Sequence, residues 1–165
     1  MTRNRRLNDR LTILIASLCL LAVFSTNGLA VEAPEIFVQL GHRSSDVKAA
    51  ALTANGKYLL TGSGDRTAKL WDAASGTEIR TFPGHASEVT AVAISADGGQ
   101  VLTGDRNGVI KLWDTMSGRE ICSITFTGKD PAVNALRFSP GGRFFTTLTS
   151  TTLSVWDLYT GRIIR

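Results

Sequence analysis

The sequence contains little of what metal, redox or nucleotide chemistry requires. Its 165 residues include two cysteines and two histidines. His42 and His85 are far apart, with no His-x-His pair and no paired cysteines, so no ligand set has the spacing of a metal site. No glycine-rich segment ends in the Gly-Lys-Ser/Thr of a phosphate-binding loop. We therefore predict neither a metal nor a cofactor.

An excess of positive charge is also missing from most of the chain. The formal net charge is +4, but residues 1–30 carry four arginines against one aspartate, which leaves 14 basic and 13 acidic residues in the remainder. A nearly neutral body lacks the basic surface that a phosphate backbone attracts. The composition therefore predicts no nucleic-acid binding.

The N-terminus lacks an apolar run long enough for a typical transmembrane helix. Residues 11–24 form a 14-residue apolar stretch behind a basic segment, shorter than the roughly 18–20 residues that cross a bilayer. Gly28 and Ala30 supply the small residues that precede a cleavage site. We predict a signal peptide over residues 1–30, cleaved after Ala30, and export to the periplasm or medium without membrane contact after cleavage. The alternative is a membrane anchor formed by uncleaved residues 11–24.

Sustained helical periodicity is absent from residues 31–165, which instead contain a repeat. Trp71, Trp113 and Trp156 are each followed by aspartate, at spacings of 42 and 43 residues. Gly-His precedes the first two at residues 41–42 and 84–85, and Gly-Lys at 128–129 precedes the third. The copies cover about residues 41–83, 84–127 and 128–165. Such a period indicates one supersecondary unit repeated three times.

Each copy predicts four short β-strands. Runs of apolar or β-branched residues alternate with turn sequences such as Asn55-Gly56 and Asp97-Gly98, which are hairpin signals. Residues 35–40 have the phase of an additional leading strand. The predicted fold class is therefore all-β and antiparallel.

The period, the Gly-His pairs and the Trp-Asp pairs resemble those of WD40 repeats. In that family each repeat supplies a four-stranded blade of a β-propeller. The resemblance extends over about residues 35–165. It implies a partial propeller of about three four-stranded antiparallel blades, with a leading outer strand at 35–40.

The resemblance also implies a structural role for the polar residues of the repeat. In WD40 blades the tryptophan N–H meets a hydroxyl on the second strand, and a histidine links that hydroxyl to an aspartate in the next turn. Lys129 replaces this histidine in the third copy, where the turn is one residue shorter. A complete buried network is more rigid than a broken one, so we expect the first blade to be the best ordered and the third the least. The matching residues of the three copies are His42, Thr61, Asp65 and Trp71; His85, Thr103, Asn107 and Trp113; and Thr147 and Trp156.

A hydrolase triad is the catalytic alternative for this region. His42, Asp65 and either Ser44 or Ser63 are the residue types that such a triad uses. The same residue types recur with the period of the repeat, however, which favours a structural role. We therefore predict no enzymatic activity. Lys69 and Lys111, each two residues before a tryptophan, are interpreted as part of a solvated strand face.

Members of this family usually bind proteins or peptides with the loops that follow the fourth and second strands. The matching candidates here are Arg43, Arg66, Glu88 and Arg106; the alternative is that these residues only solvate the turns. The predicted function is a non-enzymatic, exported, protein-binding scaffold. The alternative is the N-terminal propeller portion of a larger multidomain enzyme, such as a protease-like or kinase fusion, where it positions substrate or regulates activity.

Three blades are fewer than the four to eight of closed propellers. Two apolar flanks then stay open, and large exposed apolar faces promote association. Either the chain is part of a larger propeller, or it associates with copies of itself through the open blade edges, two chains giving six blades.

Overall fold

Twelve β-strands in three antiparallel sheets make up the fold. The computed structural model describes residues 41–42, 46–127 and 129–165. Each sheet contains four strands in chain order, which confirms the predicted all-β class and the three four-stranded units. The predicted signal peptide (1–30), the leading strand (35–40) and Arg43 lie outside the described residues. The described residues include no helix long and apolar enough to cross a membrane.

Each sheet falls within one copy of the repeat. In every sheet the first strand lies at one edge and the fourth at the other. The first sheet comprises β1 (Val47–Leu52), β2 (Tyr58–Ser63), β3 (Ala68–Asp72) and β4 (Glu78–Phe82); the second, β5 (Val89–Ile94), β6 (Gln100–Asp105), β7 (Val109–Asp114) and β8 (Glu120–Thr125); the third, β9 (Ala135–Phe138), β10 (Phe144–Leu148), β11 (Leu153–Asp157) and β12 (Arg162–Ile163).

The turn between the first and second strands uses glycine in each sheet. Gly56, Gly98 and Gly142 have φ values of 69°, 75° and 68°. Residues with a Cβ rarely adopt this left-handed backbone, which glycine adopts at little cost. The Asn-Gly, Asp-Gly and Gly-Gly signals therefore mark the observed hairpin turns.

Consecutive sheets pack face to face, with the backbone of one against the side chains of the next. A Cβ on Gly62 of β2 would lie 2.7 Å from Val89 Cγ1, and one on Gly104 of β6 would lie 2.6 Å from Val133 Cγ1. β5 contacts both β1 and β9, so the first strands of the three sheets are neighbours. Glycine at these two positions sets the spacing of the sheets.

Two apolar clusters fill the junctions between sheets. The first joins Leu60 and Leu70 of the first sheet to Val89 and Trp113 of the second. The second joins Leu102 and Leu112 to residues of the third sheet that include Phe145 and Trp156. Most of the core therefore lies between sheets, and a single sheet cannot bury its faces alone.

Candidate interaction surface

A chain of hydrogen bonds runs through the first sheet to its β2–β3 turn. Trp71 Nε1–H donates to Thr61 Oγ1 at 2.9 Å, and Thr61 Oγ1 lies 2.9 Å from His42 Nε2. His42 Nδ1 lies 2.9 Å from Asp65 Oδ2. Since a carboxylate only accepts, Nδ1–H donates to Asp65 and the Thr61 hydroxyl donates to Nε2. Both ring nitrogens of the buried His42 are thus engaged, which opposes a role for this ring as a general base.

The second sheet repeats this chain with a different acidic residue. Trp113 Nε1–H donates to Thr103 Oγ1 at 2.8 Å, and Thr103 Oγ1 lies 2.6 Å from His85 Nε2. His85 Nδ1 lies 3.0 Å from Oδ2 of the fully buried Asp105. Asn107, which the sequence analysis placed in this role, is exposed. That prediction is wrong.

The reason is that the aspartate of the second sheet stands two residues earlier in the aligned sequence than the aspartate of the first sheet. Ten residues separate threonine from tryptophan in both sheets, so Asn107 aligns with Asp65, and Asp105 aligns with Ser63. Ser63 Oγ accepts the N–H of Asp65 at 3.2 Å, and Asp105 Oδ1 accepts the N–H of Asn107 at 2.9 Å. Asp105 therefore closes the turn with one oxygen and reaches His85 with the other. The sequence did contain a signal for this role, because Asp105 is a second polar residue and stands at the end of the preceding strand, β6.

The third sheet keeps only the inner part of this chain. Trp156 Nε1–H donates to Thr147 Oγ1 at 3.0 Å. Lys129, at the position of the histidine, is exposed. In the shorter turn, Thr149 Oγ1 accepts the N–H of Thr152 at 3.1 Å. This turn is closed locally, without a link to the tryptophan.

Lysines that the sequence analysis assigned to a solvated face cover the tryptophans instead. Lys69 Nζ lies 5.8 Å from the Trp71 ring centroid and 2.6 Å from Glu78 Oε2, and its side chain is 12% exposed. Lys111 stands in the same way over Trp113 and pairs with Glu120. The interpretation as a solvated face is wrong, because both side chains are largely buried and each ammonium group is held by a cation–π contact and an ion pair. The glutamate nine residues after each lysine was the signal in the sequence for these ion pairs.

The aspartate of each Trp-Asp pair closes the next turn. Asp72 Oδ1 accepts the Ser75 N–H at 2.8 Å, Asp114 Oδ1 the Ser117 N–H at 2.7 Å, and Asp157 Oδ1 the Thr160 N–H at 3.0 Å. Hydrogen bonds from these residues lower the pKa of all three aspartates. These aspartates stabilise the turns between third and fourth strands, a role that the sequence analysis did not assign.

Burial and hydrogen bonding shift pKa values differently in the two hydrogen-bond networks. Desolvation lowers the pKa of His85 below its ordinary value, although the hydrogen bond to Asp105 opposes this. Desolvation acts against the charged form of Asp65, but hydrogen bonds from Thr67 and His42 outweigh it and lower the pKa of that carboxyl. The hydrogen-bond network of the second sheet is therefore built around a neutral imidazole, and that of the first sheet ends on a charged aspartate.

The β2–β3, β6–β7 and β10–β11 turns, with residues 85–88 and 129–132, form what we call the turn edge. Arg66 is exposed there with φ 70°, a left-handed value that Gly108 adopts at the aligned position of the second sheet. Arg106 is also exposed, and its guanidinium lies 3.4 Å from Glu88 Oε2. The candidates Arg66, Glu88 and Arg106 thus lie at one edge, two of them paired with each other.

A shallow cleft lies beside the turn edge of the first sheet. Its volume is about 220 Å³, and its lining includes Gly41, Asp65, Lys69 and Thr81. Ligand pockets for drug-sized molecules measure about 300–1,000 Å³, so this cleft suits a side chain better than a cofactor. Among the described residues no cluster of three histidine, cysteine or acidic side chains has the geometry to hold a metal.

Comparison with known proteins shows the same repeat. The profile described as "WD domain, G-beta repeat" matches residues 34–72, 76–114 and 120–157. The second and third matches each begin near the fourth strand of one sheet and end at the Trp-Asp of the next. Each of these two matches therefore spans the fourth strand of one sheet and the first three strands of the next, a phase offset from the copies that begin at Gly-His or Gly-Lys.

Curated relatives match over about one repeat. Dynein assembly factor with WD repeat domains 1 from Homo sapiens is 57% identical over 35 residues, or 21% of this chain and 8% of that protein. Nuclear distribution protein PAC1-2 from Postia placenta is 56% identical over 36 residues, or 22% of this chain and 8% of its own length. The chain thus spans less than a tenth of these relatives.

Solved structures match over most of the three sheets. U3-55K superimposes with a TM-score of 0.67 at 23% identity, covering 74% of this chain and 39% of that one. The WD40 repeats of RRP9 give the same TM-score and identity, with 74% and 38% covered. At this identity the likeness concerns the fold alone, but the repeat profile covers more than half of the sequence. The chain belongs to the WD40 repeat family.

Proposed function

We propose that the chain is a non-enzymatic scaffold that binds a protein or peptide with its turn edge. The observation that carries this proposal is the backbone of Arg66, which has φ 70° where the second sheet has a glycine. A left-handed backbone costs a residue with a Cβ about 1–2 kcal/mol. Such strain concentrates at functional positions, and an exposed guanidinium there suits a carboxylate or carbonyl oxygen of a partner.

The residues beneath Arg66 support it rigidly. Asp65 Oδ1 accepts the Thr67 N–H at 2.9 Å and the Thr67 hydroxyl at 2.6 Å, while His42 holds the other oxygen. The turn is therefore fixed on both sides of the arginine before a partner arrives. Ordering in advance lowers the entropic cost of binding.

We also propose that the scaffold is exported, with residues 1–30 removed. The support is the basic segment and apolar stretch followed by small residues at the predicted cleavage site. Expression of the full chain with a C-terminal tag, followed by N-terminal sequencing of the exported product, tests this. A mature end at Val31 supports cleavage after Ala30. An intact N-terminus in the membrane fraction supports the anchor instead.

Binding is tested by selecting peptides from a library and comparing their affinities for the wild type and for a variant at Arg66. Random dodecapeptides displayed on phage are selected on the immobilised full chain, and enriched peptides are titrated against variants by fluorescence anisotropy. We expect Arg66→Gly to weaken binding about tenfold or more, as loss of a charge-assisted hydrogen bond does. The free energy of unfolding should stay the same or rise, because glycine accepts this backbone.

The matched control is Met116→Ala, at an exposed residue in a turn at the opposite end of the second sheet. This variant should leave the affinity unchanged. Failure to enrich any peptide, or equal affinities of the wild type and Arg66→Gly, would contradict the proposed role of the turn edge.

A further inference from the structure

The cleft beside the turn edge of the first sheet is lined from two strands and one turn. Asp65 and Thr67 contribute from the β2–β3 turn, Lys69 from β3 and Thr81 from β4. Lys69 and Thr81 are directly paired residues of neighbouring strands, so their side chains stand on one face of the sheet. Asp65 and Thr67 are the two neighbours of Arg66 in the chain, so the cleft adjoins this exposed residue.

The carboxylate at the cleft already holds three donors. Asp65 Oδ1 accepts the Thr67 N–H at 2.9 Å and the Thr67 hydroxyl at 2.6 Å. Asp65 Oδ2 accepts the His42 Nδ1–H at 2.9 Å. A donor from a partner would have to compete with these bonds. We therefore do not expect the cleft to select a basic side chain.

The polar atoms on the strand side of the cleft are paired with one another. Lys69 Nζ donates to Glu78 Oε2 at 2.6 Å, and Thr81 Oγ1 donates to Glu78 Oε1 at 2.5 Å. One glutamate thus engages both the ammonium group and the hydroxyl. The lining residues also carry methyl and methylene groups, and most of the cleft surface is apolar. The cleft therefore offers a guest apolar contact rather than new hydrogen bonds.

Size and polarity together indicate the guest. The cleft has a volume of about 220 Å³, and an apolar cavity of about 150 Å³ in another protein takes up benzene. The space therefore admits a branched aliphatic side chain. A polar group placed there would lose water without gaining a partner, which is unfavourable, whereas burial of an aliphatic group is favourable.

Arg66 adds a charge beside this apolar space. Arg106, the exposed arginine of the second sheet, lies 3.4 Å from Glu88. Among the residues that the structure describes, no acidic side chain lies within ion-pair distance of Arg66. Its guanidinium is therefore available to a carboxylate, which it can bind through two parallel hydrogen bonds.

We propose that the partner of the turn edge places a leucine, isoleucine or valine side chain in this cleft and a nearby carboxylate on Arg66. The partner segment is thus a short acidic one with an aliphatic anchor. This inference rests on the proposed function, since it names the chemistry that the turn edge recognises. It adds the cleft as a second contact that can be removed without changing Arg66.

The dodecapeptides selected on the full chain are the probes for this contact. We expect each enriched peptide to depend on one branched aliphatic residue near an aspartate or glutamate. Replacing that aliphatic residue with alanine should weaken binding about tenfold or more, because most of its apolar burial is lost. Replacing the acid with its amide should also weaken binding. Peptides that tolerate every aliphatic-to-alanine change overturn the proposal.

Filling the cleft tests the same contact from the side of the chain. Thr81→Leu occupies part of the space and should weaken binding about tenfold or more, whereas Thr81→Val removes the same hydroxyl without adding volume and should bind as the wild type does. Ser123→Leu is the matched control, because the exposed Ser123 pairs with Lys111 as Thr81 pairs with Lys69. This control should leave the affinity unchanged. Equal affinities of Thr81→Leu and Thr81→Val contradict the proposal.

A double-mutant cycle separates the cleft from the turn edge as a whole. The peptide that carries alanine in place of its aliphatic residue should lose no further affinity to Thr81→Leu, but Arg66→Gly should still weaken it. If Thr81→Leu weakens both peptides equally while Arg66→Gly weakens binding, the turn edge stands and the cleft contact is wrong.

Urea unfolding without peptide completes the test. Thr81→Leu and Thr81→Val should have similar midpoints, since the cleft is open before a partner binds. A large loss of stability in Thr81→Leu alone would mean that another segment of the chain itself occupies the cleft, and it would overturn the proposal.

Discussion

Asp105 combines two tasks that the first sheet divides between Ser63 and Asp65. Its carboxylate closes the β6–β7 turn through Oδ1 and accepts from His85 through Oδ2. The side chain is fully buried, so neither task is shared with water. The second sheet thus has a chain as complete as that of the first.

We expect Asp105→Ala and Asn107→Ala to differ strongly in stability. The first leaves a buried imidazole N–H without its acceptor and should lower the free energy of unfolding by about 1–3 kcal/mol. The second changes an exposed side chain and should have an effect within about 0.5 kcal/mol. Urea unfolding of both variants measures the difference. Equal losses of unfolding free energy in the two variants would contradict the assignment of Asp105 as the partner of His85.

The low pKa of His85 predicts acid sensitivity. Because burial holds this pKa below 6.5, the unfolded chain binds a proton that the folded chain does not in the window just below pH 6.5. The stabilising contribution is full above that window and is lost as the pH falls through it. The urea midpoint should therefore drop between pH 7.5 and 5.5, and His85→Gln should flatten the drop.

Asp65 supplies the control for that experiment. Its pKa is lowered below 3.8, so its contribution is present above pH 3.8 and is lost only as the pH falls further. Asp65→Asn should therefore leave the drop between pH 7.5 and 5.5 in place. A drop that survives His85→Gln and disappears in Asp65→Asn would contradict the assignment.

At the scale of the strands, β2 and β6 are specialised for contact with the next sheet. Gly62 and Gly104 each follow the threonine that receives the tryptophan N–H. The strand is thereby fixed from one face by a hydrogen bond and approached closely on the other. Both contacts depend on the two-residue period of the strand.

We expect Gly104→Ala to destabilise the fold, since its Cβ would lie 2.6 Å from Val133. The loss should be about 1–3 kcal/mol, as for other overpacked cores. Gly141→Ala is the matched control, because a Cβ there meets nothing within 4 Å. Thermal unfolding of the two variants gives the comparison, and similar melting temperatures would refute the close junction.

At the scale of the whole molecule, stability depends on neighbouring sheets. A stack of repeats behaves approximately as a sum of intrinsic terms and nearest-neighbour terms. The second sheet has both faces covered and a complete chain through Asp105. The third sheet has one covered face, and its tryptophan reaches only Thr147.

Amide hydrogen exchange should therefore be slowest in β6 and β7 and fastest in β10 to β12. The sequence alone predicted the greatest order in the first sheet, because asparagine at position 107 takes the place of the aspartate in the second copy. The structure moves that expectation to the second sheet, where Asp105 completes the network. Exchange measured by mass spectrometry on the full chain resolves the three sheets. Equal protection in all three would contradict both versions.

Local sequence predicted the elements because turns and strands are local. Asn55-Gly56 and Asp97-Gly98 mark hairpins through a backbone need that glycine meets by itself. The choice between Asp105 and Asn107 was not local, since it depends on which side chain reaches His85, which lies 20 residues before the first and 22 before the second. Alignment by sequence position favoured Asn107, whereas the fold buries Asp105 with its carboxylate 3.0 Å from His85 Nδ1 and leaves Asn107 exposed.

By itself the sequence determined the all-β class and the three copies, because these depend on periodicity and on residue types at fixed spacing. The link from each tryptophan to a threonine was implied by the resemblance to WD40 repeats. Only the tertiary structure decided which acid holds His85, and that Lys69 and Lys111 cover the tryptophans. Those features depend on distances between strands and sheets. Such distances are set by packing, to which residues from different repeats contribute together.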